Sequence, residues 1–575
     1  MWILGIAGSH NSGAALIRDG KVVVAIQTER LTRCKRQPIS LDQMGMPAAE
    51  VIRYCLRYAG IDLADLDAIA TCTPWSAIHP QFAFSQPGLL GRVRLPRFVT
   101  VPHHLAHAEY AIHYSPLEPA LVLVCDGSGT YEKQRCQLDI QEREDGALRF
   151  VDDDGKESIS AYVFDGTHLR LIYRVAYGEA THLPPDAAGL SARPQGWLLS
   201  MGHLWEWGAL YCHGSSHEAG KVMGLAPFGD PAEHADLQTL WMDASGAMKI
   251  DLRALFERFQ SPNLSAADIS GDRNYADIAS HVQSLTNTFL VDLVRFLQTR
   301  YSTRNVCYSG GVALNSIANE YLRRQLDLKL HMNGSCEDNG TAIGAALAVY
   351  HSFTGERVAE EVTDYYGREY SPEEIRAAVQ GYAGDIMAMP RAHLLRYTSR
   401  ALASGAVVGW FQGRSEFGPR ALGNRSILAD PRNEHMQDIL NRRVKHREAF
   451  RPYAPAVVEE RAAEFFDLDC PSPVMLRVVP VRVASLPAVT HVDGTARVQT
   501  VARAQNEIFY DLLTAFGGET GVPVLLNTSF NVAEPIVETP GDALRTFAGT
   551  QMDLLVAGDL VIHPAAGKSH LQDAK

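Results

Sequence analysis

Cysteine is sparse and unpatterned in this chain: nine in 575 residues, with no C-x-x-C pair. That excludes a small disulfide-framed secreted module and reads as reduced thiols in a cytoplasm. No uninterrupted apolar run is long enough to cross a bilayer. Met1-Trp2-Ile3-Leu4-Gly5 lacks the basic leader and cleavage site of a signal peptide, which again predicts a cytoplasmic protein with no membrane partner. Positive charge is in deficit, with a net charge of −13 and pI about 5.9. A general polyanion-binding surface is therefore disfavoured, although a local basic cleft is not. Hydrophobic residues make up 46% and charged residues 21%, the balance of a folded chain rather than a disordered one. The length allows several domains with cores of their own.

Against these absences stands Pro102-His103-His104-Leu105-Ala106-His107-Ala108. His103 and His107 are four apart, so a helix puts them on one face, with His104 turned away. Two imidazoles so placed can share a metal ion. Val122 to Gly129 reads as a buried strand ending in Asp126 and a glycine turn, and Glu337-Asp338-Asn339-Gly340 precedes a small-residue helix, Thr341 to Ala348. Two histidines with Asp126 and Asp338 form a sound ligand set for iron, manganese or zinc.

In chain order, Trp2 to Ala7 reads as a strand, then a small polar turn, then a hairpin of Ala14–Arg18 and Lys21–Gln27 closed by Asp19-Gly20. The basic run Thr28 to Arg36 reads as a solvated face, or as counter-charge if a phosphate lies nearby. Residues 131 to 195 look polar and irregular, with short β-like pieces. Trp197 to Leu210 predicts a helix, and Lys221 sits in a glycine-flanked turn, Gly220 to Ala226, where it can meet a phosphate or carbonyl oxygen. Ile278 to Tyr301 is the longest helical pattern. After the strand Asn305 to Tyr308, Ser309-Gly310-Gly311-Val312-Ala313-Leu314-Asn315 turns into a helix. Gly310, Gly311 and Asn315 there let backbone approach a phosphate or nucleoside at a positive helix end. This is not a Walker P-loop, because G-K-[ST] is missing. Two strand–hairpin–helix halves, each with an acid at a strand end, predict an internally duplicated α/β domain with a cleft between the halves.

Near Thr354 to Pro372 the composition shifts, predicting domains at 1–355 and 356–575. The second carries Arg414, Arg420 and Arg425 in a glycine-rich loop, then Lys445, Arg447 and Arg451, then Arg497, and finally Asn527, Ser529 and Asn531 at a strand end. Planar guanidiniums suit multidentate phosphate capture.

His103 to Ala108, Asp126-Gly127, Gly220 to Ala226, Ser309 to Asn315, Gly418 to Gly423 and Leu526 to Asn531 occur in this order, and together they resemble the NodU/CmcH-type O-carbamoyltransferases over nearly the whole chain. The resemblance implies an actin/Hsp70/sugar-kinase-like ATPase domain carrying an iron-type divalent metal, Fe2+ or another, followed by a smaller YrdC-like α/β domain. It implies ATP, accompanied by Mg2+, and carbamoyl phosphate as substrates. These give carbamoyl-adenylate, whose carbamoyl group passes to a hydroxyl of a small antibiotic-type acceptor; a homodimer is compatible with it. Carried over by residue, His103, His107, Asp126 and Asp338 match the metal ligands, while His10 and Lys35 face acceptor and carbamoyl-adenylate. Arg414 or Arg420, with Arg447, Arg497, Asn527 and Ser529, match the carbamoyl-phosphate and nucleotide pocket. The chain departs from the family pattern at Asn11, commonly an aspartate, and at Ala533, in a loop about one residue shorter than usual. The competing readings are a tRNA threonylcarbamoyl-transferase-like enzyme, a nucleic-acid-binding module using Arg414 to Arg451 with Phe417, Phe450 and Tyr453, and a silent nucleotide-binding regulator.

Overall fold

The computed structural model describes residues 1–9, 11–38, 46–72, 96–179, 199–259, 262, 269, 272–358 and 363–565. They fall into two compact units, Met1–Thr28 with Arg36–Glu361, and Glu29–Lys35 with Val362–Lys575. Both are mixed α/β.

The first unit holds two sheets. One is built from β1 (Trp2–Ala7), β2 (Gly13–Arg18), β3 (Lys21–Gln27), β4 (Ala68–Thr71) and β5 (Arg97–Thr100), in the order β3-β2-β1-β4-β5. β2 is antiparallel to both neighbours, and β4 is parallel to both of its own. Asp19 and Gly20, with φ of 50° and 79°, close the hairpin in the left-handed conformations its turn demands.

The second sheet uses β6 (Ala120–Cys125), β7 (Arg143–Val151), β8 (Lys156–Phe164) and β9 (Leu169–Tyr177). After a separate small hairpin of β10 (Leu240–Met242) and β11 (Met248–Ile250), β12 (Asn305–Ser309) and β13 (Lys329–His331) complete it. Its order is β13-β12-β6-β8-β9-β7. β8 is antiparallel to β6 and β9, and β12 is parallel to β6 and β13. Apart from β7 on its outer edge, this sheet repeats the order and sense of the first, so the unit is internally duplicated.

Three expectations for this unit change. Residues 143 to 177 form three long strands rather than irregular chain. Glu157, Ser158, Ser160 and Arg174 on them are buried, so their inward-facing positions are polar and the usual alternation is hidden. Lys221 lies on helix Ala219–Leu225 rather than in a turn, because Val222 and Leu225, three apart, both enter the core. The helix expected from Trp197 runs Met201–His213, started by Ser200, whose Oγ accepts from His203 N, and stopped by Gly214 at φ 67°. The longest helix is Arg273–Gln298, capped by Asp272.

The second unit is built on one eight-stranded mixed sheet. It uses β14 (Ile386–Ala388), β15 (Val408–Phe411), β16 (Arg425–Ala429), β17 (Ala454–Val458), β20 (Gln499–Val501), β21 (Val524–Ser529), β22 (Leu554–Ala557) and β23 (Leu560–Ile562); β18 (Val478–Pro480) pairs separately with β19 (Thr495–Arg497). Strand residues alternate between two cores. Leu428, Ala456, Leu525 and Leu554 pack with helices Arg391–Ala403 and Glu507–Thr520. Ile427, Val457, Leu526 and Leu555 pack with helices Pro372–Val379 and Pro540–Ala548. The sheet is thus covered on both faces. Among the described residues no helix is long and apolar enough to cross a membrane.

Candidate functional site

In the first unit, helix His103–Ile112 is buried along its whole length. Helix Thr341–Thr354 packs against it and against β1 at very close range. A Cβ on Gly344 would sit 1.8 Å from the Ala106 carbonyl oxygen, and one on Gly5 would sit 1.8 Å from the Ala342 oxygen. The small residues of that helix are therefore what brings Asp338, just before it, to the histidines. Asp126 follows β6 on the other side.

The four side chains converge. Nε2 of His103 lies 3.2 Å from Asp126 Oδ2 and 3.6 Å from Asp338 Oδ1. Nε2 of His107 lies 3.9 and 3.7 Å from the same oxygens. One donor atom from each residue falls within 4.8 Å of all the others.

The outer partners fix the tautomers. Nδ1 of His103 faces the Cys72 carbonyl oxygen at 3.3 Å, so it is the protonated nitrogen. Ser309 Oγ donates to the Cys336 carbonyl and so accepts from His107 Nδ1 at 3.1 Å. Both Nε2 lone pairs then point inward, 3.2 Å apart. Two facing lone pairs repel unless a cation lies between them, so the donor set fits a divalent ion. Asp126 spends its second oxygen on Gly311 N at 2.9 Å. Without an ion, His103 is raised well above the ordinary imidazole range: burial opposes its charged form, but Asp126 and Asp338 outweigh that.

The glycine turn serves this centre. Gly310 has φ 96°, and a Cβ there would lie 2.1 Å from the Cys125 oxygen. Asn315 caps the next helix by accepting from Ala318 N and donates to Gln283. Asn11 donates to Glu337 Oε2 at 2.7 Å; an aspartate there would confront a second carboxylate. His10 lies outside the described residues. Lys221 Nζ sits 3.6 Å from Glu218, partly buried.

In the second unit the cations gather at one end of the sheet. Phe411 pairs with Arg425, Ser426 with Ser529, Ala454 with Asn527 and Ala456 with Gln499. The loop carrying Arg420, the segment carrying Lys445, Arg447 and Arg451, and the approach to β20 from Arg497 all therefore lie at that end. Burial, followed by the charges of Arg420, Arg447 and Arg451, pushes Arg497 well below the usual guanidinium range. Arg447 is lowered chiefly by burial and stacks 4.3 Å from the centre of the Tyr453 ring. The Nε atoms of Arg447 and Arg497 are buried and find no acceptor among the described residues. Buried donors without acceptors beside like charges mark a place for an anion.

Lys445 is also pushed down, by burial first and then by Arg447, Lys35 and Arg451. Its Nζ binds Asn531 Oδ1 at 2.8 Å and the carbonyl oxygens of Ser529 and Asn531. Asn527 donates to Ala421 O and Gln499 Oε1, leaving its own Oδ1 buried and without a donor among the described residues.

Other arginines from the sequence reading are differently engaged. Arg425 is buried and donates to the carbonyls of Gln412, Gly413 and Asn424. Arg414 donates to Gly367 O and Tyr366 O. Phe417, Phe450 and Tyr453 are all buried, which removes them as stacking platforms for bases. Within the basic run, Arg30 is only 1% exposed and donates to Gly418 O, so that run is not simply a solvated face.

Sequence reasoning missed Glu416. Its Oε1 accepts from the backbone N–H groups of Leu422, Asn424 and Arg425 and holds the arginine loop in shape. The E-x-G-P-R spacing was its only signal.

Comparison with known proteins gives the family. Residues 2–83 and 76–347 match the carbamoyltransferase N-terminus, and residues 399–563 match the carbamoyltransferase C-terminus. Nodulation protein NolNO of Sinorhizobium fredii is 34% identical, over 96% of this chain and 79% of its own. The 3'-hydroxymethylcephem-O-carbamoyltransferase of Streptomyces clavuligerus is 29% identical, over 99% of this chain and all of its own. Among solved structures, full-length HypF in its phosphate- and nucleotide-bound form aligns with 62% of this chain and 47% of its own, at 14% identity and a TM-score of 0.40. With both of its halves matched in order, this chain belongs to the carbamoyltransferase family.

Proposed function

We propose that the protein is an ATP-dependent O-carbamoyltransferase that draws on carbamoyl phosphate and carbamoylates a hydroxyl of an antibiotic-type natural product. The observation that carries this reading is the cation cluster of the second unit, where Arg447 and Arg497 keep buried Nε donors without acceptors among the described residues. Carbamoyl phosphate and ATP are both dense anions, and the cluster would bind their phosphates. There, carbamoyl phosphate and water give carbamate and phosphate. Carbamate oxygen then attacks the α-phosphorus of ATP, and pyrophosphate leaves. An arginine-lined, water-poor pocket stabilises the charge of both steps and protects the mixed anhydride from hydrolysis. Lys445 and Asn531 would hold the strand-end loop against the ligand. This assignment gives the second unit the YrdC-like role and the duplicated first unit that of an actin-like ATPase domain.

Transfer belongs to the first unit. His103, His107, Asp126 and Asp338 would hold a divalent ion, iron by resemblance, which supplies Lewis-acid charge to phosphate oxygens. His10 is proposed to face the acceptor; Lys35, which belongs to the second unit, is proposed to face the adenylate where it is made. The acceptor oxygen attacks the carbamoyl carbon, its proton passes to a base, and AMP leaves.

The test is a single incubation of purified protein with carbamoyl phosphate, ATP and a panel of candidate alcohols. Pyrophosphate release that requires carbamoyl phosphate, with a carbamoyl-sized mass gain on one alcohol, is expected. Absence of pyrophosphate and AMP under every condition overturns the proposal.

A further inference from the structure

Helix His103–Ile112 begins at Pro102, which offers no side chain to its first N–H groups. Other elements serve them. Thr130 Oγ1 accepts from His103 N at 2.9 Å, and Glu157 Oε2 accepts from His104 N at 3.2 Å. The same Oε2 accepts from Thr130 N at 3.0 Å, which ties the two caps together. Glu157 is 0% exposed, and its other oxygen lies 3.0 Å from Nη1 of Arg174, equally buried. Arg174 also pairs with Glu142 at 2.7 Å and donates from Nε to Ser160 Oγ, which lies 2.7 Å from His104 Nδ1.

Two further facts give this arrangement direction. A Cβ on Gly129 would sit 2.6 Å from Glu157 Oε2 and 2.9 Å from the His104 ring, so only glycine lets the carboxylate reach the helix. Asp126 leaves the same ladder: Asp126 N donates to Ser158 O, Gly129 N to Glu157 O, and Glu157 N to Thr130 O. One short antiparallel ladder therefore carries an aspartate of the metal centre and both caps of the helix that bears its histidines.

We propose that Glu157, Thr130 and Gly129 are positioning residues. They set the spacing between the His103–His107 pair and Asp126, and through it the affinity for a divalent ion. Arg174, 3.0 Å from the other Glu157 oxygen, holds that carboxylate in place. The inference rests on the metal reading of the four convergent side chains.

Full-length protein and its Thr130→Val, Thr130→Ser and Gly129→Ala variants are stripped of metal and titrated with Mn2+, the free ion being followed by electron paramagnetic resonance. The melting temperature of each metal-free protein is measured alongside. Partners just outside a metal's ligands commonly set affinity by about 10- to 100-fold. Thr130→Val and Gly129→Ala are expected to weaken Mn2+ binding by that factor, and Thr130→Ser to restore it. A purely structural role would lower the metal-free melting temperature and leave the affinity of the folded protein unmoved. Wild-type affinity in folded Thr130→Val and Gly129→Ala overturns the proposal. Should Thr130→Val not fold, Gly129→Ala carries the same comparison. If the wild type itself takes up no Mn2+, the metal reading fails first and this inference falls with it.

Discussion

Arg425 and Arg497 show what a single residue's neighbours decide. Both sit near glycines or strand ends in the sequence, and both read there as phosphate ligands. Arg425 gives its Nη atoms to the carbonyls of Gln412, Gly413, Asn424 and Arg368, whereas Arg497 lies among the charges of Arg420, Arg447 and Arg451, which together with burial push it down. Arg497→Met is therefore expected to cut carbamoyl-phosphate-dependent pyrophosphate release by about 10²-fold or more. The metal content should stay at the wild-type level, as elemental analysis would show. Undiminished release would remove Arg497 from the donor site. The convergence of His103, His107, Asp126 and Asp338 was legible beforehand because a four-residue spacing on a helix and acids at strand ends are local signals. Glu157 and Thr130 were not, since a glutamate in a strand looks like a solvent-facing residue until Arg174 is placed behind it.

The far end of the histidine helix is secured at the scale of elements. Glu109 is buried and receives both arms of Arg357, at 2.5 and 3.0 Å, beside His351. Burial raises the Glu109 carboxyl, but the charge of Arg357 and the hydrogen bonds from His351 and Arg357 bring it down to about 2. A carboxyl lowered on folding stabilises above its unfolded pKa of 4.5, and that contribution is lost as pH falls towards 2. On the pKa difference it amounts to roughly 3 kcal/mol. Arg357→Met should melt well below the wild type at pH 7, with the gap narrowing towards pH 3; a constant gap would contradict the ion pair. Elements whose ends carry their own chemistry were readable from sequence, such as the Asp19-Gly20 hairpin. The strands of residues 143 to 177 were not, because the polar residues they bury break the pattern that announces a strand.

For the whole molecule, the net charge of −13 conceals a cationic end on one sheet. That contrast predicts selective stabilisation by condensed phosphates. Pyrophosphate should raise the melting temperature relative to chloride at equal ionic strength, by the equivalent of about 2.7 kcal/mol at a hundredfold excess over Kd. Calorimetry showing no shift would remove this cationic end as a phosphate-binding site. Duplication of the first unit was legible as two similar successions of strand, hairpin and acid. The eight-stranded order of the second was not, because partners such as β17 and β20 are brought together only by the fold.

The assignment of Glu29–Lys35 to the second unit reaches beyond the site. Arg30 donates to Gly418 O, and Arg33 donates to Pro535 O and Ile536 O. Arg30 and Arg33 stand 388 to 503 positions before these acceptors in the chain. The second unit thus takes in a short stretch from far up the sequence, and residues 356–575 expressed alone would lack Arg30 and Arg33 and the hydrogen bonds they make.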